Sequence, residues 1–84
     1  MKTLDYQTSG TCSKLIHVEL DDNNVIQACS FFGGCNGNLQ GVSKLIIGQN
    51  AQDVINRVRG ISCNGRPTSC PDQLSIALEQ AMAK

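Results

Sequence analysis

The sequence predicts an α+β fold in which a small three-stranded antiparallel sheet is followed by three helices packed on one of its faces. Apolar and polar residues alternate over residues 13–20, a run of turn-forming residues comes directly after, and three later segments carry apolar residues at helical spacing. Strands followed by helices give a sheet covered on one side. The 84 residues suit a single domain spanning residues 1–84.

The predicted strands are residues 3–8, 13–20 and 25–32. In the second strand, SKLIHVEL, one face would carry Lys14, Ile16, Val18 and Leu20. The following Asp-Asp-Asn-Asn at 21–24 predicts a turn, because these side chains hydrogen-bond neighbouring backbone groups and tolerate left-handed angles. The second and third strands should therefore form a hairpin.

The predicted helices are residues 36–47, a segment from an Asn50 cap to Gly60, and residues 71–83. Glycines end the first two, since a helix commonly terminates in a left-handed residue. Gly41 lies within the first helix and weakens it by roughly 1 kcal/mol relative to alanine, so we expect another part of the chain to pack closely there. Pro71 suits the first position of the last helix.

Composition argues against several classes of function. Seven basic residues balance seven acidic ones, and Tyr6, Phe31 and Phe32 are the only aromatic residues. The chain therefore has neither the charge nor the stacking surface expected of a nucleic-acid-binding protein. No segment has the length of apolar sequence expected of a signal peptide or a membrane span, which predicts a soluble cytoplasmic protein.

Five cysteines are unusual for such a chain. Clustered cysteines in a reducing compartment are more often metal ligands or catalytic groups than disulfides. Four of them fall at the predicted ends of strands and helices: Cys12, Cys35, Cys63 and Cys70. Cys70 comes directly before Pro71 at a helix N-terminus, where unpaired N–H groups and the helix dipole favour the thiolate.

The predicted hairpin would bring two of these cysteines together. Cys12 precedes the second strand and Cys35 follows the third, so the antiparallel pairing places both at one edge of the sheet. Cys70 would join them if the third helix packs beside the first. Four thiolates suit tetrahedral zinc or an iron–sulfur cluster, although no Cys-x2-Cys pair is present. Inert buried thiols and a Cys63–Cys70 redox pair are the alternatives.

Other residues that could carry chemistry have simpler explanations. Cys29 lies within a predicted strand and is interpreted as a buried apolar residue. His17 is interpreted as a surface or packing histidine, and Arg66 as a solvated side chain. Ser69 and Asp72 fit a helix cap better than catalysis. Because no histidine is near a cysteine in the sequence, the chain has little support for a Cys–His nucleophile.

The stretches GTCSKLIHVEL, FFGGCNGNLQGVSKLIIGQ and VINRVRGISCNGRPTSCPDQL together resemble the TSCPD domain family, from about residue 3 to residue 82. The five signature residues at 68–72 are complete. The resemblance implies a stand-alone relative of the C-terminal module of adenosylcobalamin-dependent ribonucleotide reductases. A chain of this length cannot hold a cobalamin, a nucleotide and a radical barrel, so it implies an accessory module rather than the reductase itself.

The cysteine positions are more distantly similar to iron–sulfur scaffold proteins of the IscU/NifU type. That similarity would assign the scaffold cysteines to Cys12, Cys35 and Cys70 and implies an IscU-like arrangement of the sheet and helices. This chain has Lys14 where the scaffold has an aspartate, and Ser69 where it has a histidine. Cys63 is the residue that would replace the lost ligand.

Three functions follow as hypotheses. The first is a metal-binding module that holds zinc or an iron–sulfur cluster through the four cysteines and is accessory to ribonucleotide reductase or to iron–sulfur metabolism. The second is a dithiol redox or regulatory domain of the ribonucleoside-diphosphate reductase system without its own metal. The third is a binding module in which metal is only a scaffold. None of these makes the domain an enzyme on its own.

Overall fold

The computed structural model describes residues 1–8, 13–33, 36–61 and 68–84. Its elements follow the predicted order of three strands and then three helices. The strands are β1 (Lys2–Gln7), β2 (Ser13–Leu20) and β3 (Ile26–Gly33), and the helices are α1 (Asn36–Ile46), α2 (Ala51–Val58) and α3 (Cys70–Met82). The predicted α+β fold class is confirmed. At most of the strand and helix ends, the observed bound differs from the predicted one by a single residue.

The sheet is a meander in which β2 is the central strand. It pairs antiparallel with β1, from Lys2 opposite Leu20 to Gln7 opposite Leu15, and antiparallel with β3 on its other side. The turn between β2 and β3 has the predicted chemistry. The Asp21 carboxylate accepts hydrogen bonds from the backbone N–H groups of Asn23 and Val25, and Asn24 adopts a left-handed φ of 63°.

A β-bulge in β3 changes which side chains reach the core. Leu20 pairs with Ile26 and Val18 pairs with Cys29, so β3 uses three residues where β2 uses two. Simple alternation would place Val25 on the core face together with Cys29. The bulge instead places Ile26 there, fully buried, and keeps Cys29 facing the helices.

All three helices contribute to one core on a single face of the sheet. α3 packs on β1 and β2, α1 packs on β3, and α2 packs against α3. The buried apolar residues of the strands and helices form one cluster: Ile16, Val18, Leu20, Ile26, Ile46, Ala51, Val54, Ile55, Leu74, Ala77, Leu78 and Ala81. The predicted arrangement of helices on one face is therefore confirmed.

The signals that begin and end α2 act as predicted. The Asn50 side chain accepts a hydrogen bond from the backbone N–H of Gln52 and caps the helix. Gly48 and Gly60 adopt φ values of 84° and 86° at the ends of α1 and α2. The prediction of close packing at Gly41 is wrong, because a Cβ atom added there would meet no described atom within 4 Å.

The two ends of the sheet carry different parts of the chain. At the Leu20–Ile26 end, α1 finishes and α2 begins, since the backbone N–H of Gly48 donates to the carbonyl of Ile26. α3 also finishes there, because the Lys2 Nζ lies 3.2 Å from the carbonyl oxygen of Met82. The opposite end is defined by the backbone pair of Ser13 and Gly33, and we call it the Ser13–Gly33 end.

Candidate functional site

Cys70 is the first residue of α3 and is 7% exposed. Ser69 precedes it as the N-cap, and the Ser69 hydroxyl accepts a hydrogen bond from the backbone N–H of Asp72. The prediction that Cys70 lies at a helix N-terminus is confirmed. Pro71 occupies the second helical position rather than the first, because the helix begins one residue earlier than expected.

Asp72 joins three parts of the chain at the beginning of α3. Its Oδ1 accepts a hydrogen bond of 2.7 Å from the backbone N–H of Gly60, just beyond α2. Its Oδ2 accepts a hydrogen bond from the Thr68 hydroxyl. Gly60 and Thr68, which lie on either side of the segment containing Cys63, are therefore both bonded to the first turn of α3.

The hydrogen bond from Thr68 and the one from Gly60, helped by the charge of Arg59, lower the pKa of Asp72 below 3.8. The carboxylate therefore stabilises the fold fully above its unfolded pKa, and this contribution is lost as the pH falls through the lower folded value. We expect Asp72→Asn to reduce the free energy of unfolding near neutral pH by about 1 kcal/mol, because one amide oxygen replaces two carboxylate acceptors. The difference from wild type should shrink in acid.

Urea unfolding of the wild type and the variant, at about pH 6 and at about pH 3, measures this effect. Asp53→Asn is the matched control, since Asp53 is also in the first turn of a helix but is exposed. A variant difference that persists unchanged in acid would contradict the assignment of the effect to the Asp72 carboxylate.

Three of the four predicted site residues, Cys12, Cys35 and Cys63, lie outside the described residues, and their flanking residues are described. Ser13, next to Cys12, pairs with Gly33, two residues before Cys35. This pairing confirms the hairpin on which the prediction of a shared edge depended. The position of the three sulfur atoms stays a prediction.

The beginning of α3 lies toward the same end of the sheet. The helix finishes at the opposite end, where Lys84 Nζ donates to the carbonyl of Thr3 and Lys2 contacts Met82. α3 packs along β1 and β2 and its 13 residues span about 20 Å, so the helix runs from that end toward the Ser13–Gly33 end. Within the described residues, α3 packs on β1, β2 and α2, and α1 packs on β3, so the packing of the third helix beside the first, on which the predicted approach of Cys70 to Cys35 depended, is not observed. The described contacts group the neighbours of the cysteines in two pairs: Ser13 with Gly33, beside Cys12 and Cys35, and Gly60 and Thr68 with Asp72, beside Cys63 and Cys70.

Cys29 lies apart from this group, in the middle of β3. It packs against the core, and burial raises its pKa to about 11, an effect that the nearby Ser43 hydroxyl partly offsets. The thiol is thus protonated at neutral pH and unsuited to act as a nucleophile. This agrees with its interpretation as a small core residue.

His17 lies on the outer face of the sheet between two carboxylates. Its Nδ1 is 2.6 Å from Asp5 Oδ1 and its Nε2 is 2.8 Å from Glu19 Oε2. The hydrogen bond to Glu19 and then the one to Asp5 raise its pKa above 6.5. The interpretation as a surface histidine holds, with an ion-pair role that the sequence did not indicate.

Because the folded pKa of His17 is raised, its stabilising contribution is complete below pH 6.5 and is lost as the pH rises through the folded value. We expect wild-type stability to fall between about pH 5.5 and about pH 8.5 by more than that of His17→Gln, which lacks a titrating imidazole. Urea unfolding at both pH values measures the difference. Equal pH dependence in both proteins would show that the two hydrogen bonds do not favour the imidazolium.

Among the residues in the described ranges, no group of three or more His, Cys, Asp and Glu side chains is arranged to hold a metal ion. Those ranges contain Cys70 and exclude the other three predicted ligands, so this finding does not test the four-cysteine site. Within the same ranges, no helix combines the length and apolar character needed to cross a membrane.

A model of the TSCPD domain family matches residues 2–82. The chain belongs to the TSCPD domain family. No match to this TSCPD domain was found among curated proteins or among solved structures. The family assignment confirms the resemblance carried by the signature at residues 68–72, whereas the similarity to IscU/NifU scaffolds is not shown.

The structure gives the TSCPD signature a physical role. Thr68 and Ser69 bond to Asp72, so that the signature folds into a closed cap around the first turn of α3 and fixes Cys70 within it. Sequence reasoning identified the cap and missed the bond from Gly60 to Asp72. Residues 60 and 72 are separated by a segment without regular spacing, and nothing in that segment indicates such a contact.

Proposed function

We propose that this domain is a metal-binding module that holds zinc or an iron–sulfur cluster through Cys12, Cys35, Cys63 and Cys70. It would act in the cytoplasm as an accessory to a ribonucleotide reductase or to iron–sulfur metabolism, without being catalytic alone. The observation that supports the proposal is that the described contacts pair the cysteines' neighbours: Ser13 with Gly33, beside Cys12 and Cys35, and Gly60 and Thr68 with Asp72, beside Cys63 and Cys70. Sulfur ligands supplied from separate loops at one end of a rigid frame are a common way to build such a site.

The local surroundings of Cys70 favour a metal-binding thiolate. It lies at the N-terminus of a 13-residue helix, where the helix dipole stabilises negative charge. The closed Thr68–Asp72 cap limits the movement of this residue. A ligand that is already held in place loses less conformational freedom when metal binds.

The partner proposal comes from the family. TSCPD domains are associated with ribonucleotide reductases, and a small metal-stabilised module is suited to accompany a larger enzyme. The IscU/NifU similarity supports the alternative setting in iron–sulfur metabolism through the corresponding cysteine positions. The departures at Lys14 and Ser69 argue against transfer of a cluster and are compatible with one that stays bound.

Anaerobically purified protein tests the proposal. We expect about one zinc ion or one cluster per chain by elemental analysis and native mass spectrometry, because four thiolates supply the ligands of a single zinc ion or of a single iron–sulfur cluster. A colourless zinc protein and a brown iron–sulfur protein are distinguished by absorption. We also expect a chelator to lower the melting temperature, since metal binding contributes to folding. An apo mass together with unchanged melting after chelation would refute metal binding.

A dithiol function is the second candidate, favoured by the contacts of Asp72 with both Gly60 and Thr68. These contacts hold the two ends of the segment containing Cys63 next to Cys70. The thiolate of one cysteine would attack a disulfide of the reductase, and the other would resolve the mixed disulfide. The reductase would gain two electrons and two protons, and Cys63 and Cys70 would become a disulfide. Full reductase turnover with Cys63→Ser/Cys70→Ser protein would exclude this function.

A further inference from the structure

A cleft of about 540 Å³ lies between β3 and α1. This volume is within the range of pockets that bind small organic molecules. The cleft is formed from small and large side chains of one strand and one helix. The residues that line it include Cys29, Phe31, Leu39, Gln40, Ser43 and Lys44.

The side chains of Cys29 and Ser43 are too small to fill the space between β3 and α1. Cys29 on β3 and Ser43 on α1 lie near each other and both line the cleft. The Ser43 hydroxyl also donates to the carbonyl of Leu39, which fixes its position. The Ser43 hydroxyl is therefore held against the backbone of α1.

The lining divides into an apolar part and a polar part. Phe31 and Leu39 supply apolar surface, whereas Gln40, Ser43 and Lys44 supply an amide, a hydroxyl and an ammonium group. The lining residues that the structure describes include one basic residue and no Asp or Glu. Because burial keeps Cys29 protonated, with a pKa of about 11, the thiol adds no negative charge at neutral pH.

We propose that this cleft binds a small monoanionic molecule with an apolar body. Its acidic group would lie at Lys44 and Gln40, where an ammonium and an amide can donate hydrogen bonds. Its apolar body would lie against Phe31 and Leu39. The described residues that line the cleft include none of the four cysteines of the proposed metal centre.

The test compares two fluorescent probes that share an aromatic body. Anilinonaphthalene sulfonate carries the anionic group, and phenylnaphthylamine lacks it. We expect saturable binding of the sulfonate, weakened about tenfold by Lys44→Glu, because the reversed charge would repel it. Binding of phenylnaphthylamine should change by less than about twofold in the same variant. Arg57→Glu is the matched control, since it makes the same charge change on the exposed surface of α2, and it should leave both affinities within about twofold of wild type.

Amide chemical-shift perturbation by the sulfonate locates the probe. Shifts centred on β3 from Cys29 to Phe31 and on α1 from Leu39 to Lys44 support the proposal. Shifts centred elsewhere, equal losses in both glutamate variants, or no saturation would overturn it. Measurements with and without chelator separate this site from the metal centre. Probe binding that persists after the metal is removed supports a cleft that binds independently of the metal centre. Loss of probe binding in a protein that keeps its metal would overturn the cleft proposal and leave the metal proposal standing.

Discussion

Cys70→Ser protein purified without oxygen is expected to contain less than about a fifth of the wild-type metal and to melt more than about 10 °C lower. Serine is a poor ligand for zinc and for iron–sulfur clusters, and Cys70 is the proposed ligand that the structure describes, buried at the beginning of α3. In so small a domain, metal binding would be a large part of the folding free energy. Elemental analysis and thermal unfolding followed by circular dichroism measure both effects.

Cys29→Ser is the matched control, because it makes the same substitution at a cysteine that also contacts the core but is not a proposed ligand. We expect it to retain the wild-type metal content. Melting after chelation separates metal loss from packing. If metal loss explains the effect, wild type and Cys70→Ser should melt within about 3 °C of each other without metal. A variant that keeps its metal would contradict the role of Cys70 as a ligand.

Leu78→Ala is expected to lower the free energy of unfolding by about 2–5 kcal/mol, the usual effect of truncating a fully buried leucine. Leu78 is 0% exposed and lies in the core cluster, where α3 meets the sheet and α2. Removing its side chain leaves a cavity that the surrounding backbone can fill only in part. For a small domain with a stability of about 5–15 kcal/mol, this is a large fraction of the total.

Leu45→Ala tests whether the effect comes from burial rather than from the loss of a helical leucine. Leu45 also lies within a helix but is 79% exposed, so we expect a change within about 0.5 kcal/mol. Urea unfolding of both variants measures the contrast, provided that the transition slopes agree with wild type. Similar losses in the two variants would show that Leu45 is covered in solution, by another copy of the chain or by a rearranged α1.

The sequence predicted most of the fold because its local signals agree with one another. The alternation in β2, the Asp21 turn and the Asn50 cap each specify their own short segment, and none depends on distant contacts. The bulge in β3 could not be predicted in this way. Gln27 and Ala28 have no distinguishing composition, and the extra residue is fixed by the need to bury Ile26 opposite Leu20.

Gly41 shows the limit of inference from a single residue. A glycine within a helix costs stability, which suggested a close neighbour, but the residue faces open space in the described structure. We have no structural reason for its presence. At Cys70, proline, aspartate and helical periodicity all indicate a helix beginning, and the structure confirms it. The segment of Cys63 carries only a turn signal in its sequence, and Cys63 lies outside the described residues.

The positions of the two chain termini have a practical consequence. Lys2 contacts Met82 and Lys84 contacts Thr3, so both termini lie at the Leu20–Ile26 end. An affinity tag or a fused domain at either terminus would project away from Cys70. A short linker could likewise join residues 1 and 84, and new termini could be opened in the exposed turn at Asp22 and Asn23 to give a circular permutant that keeps every described strand and helix whole.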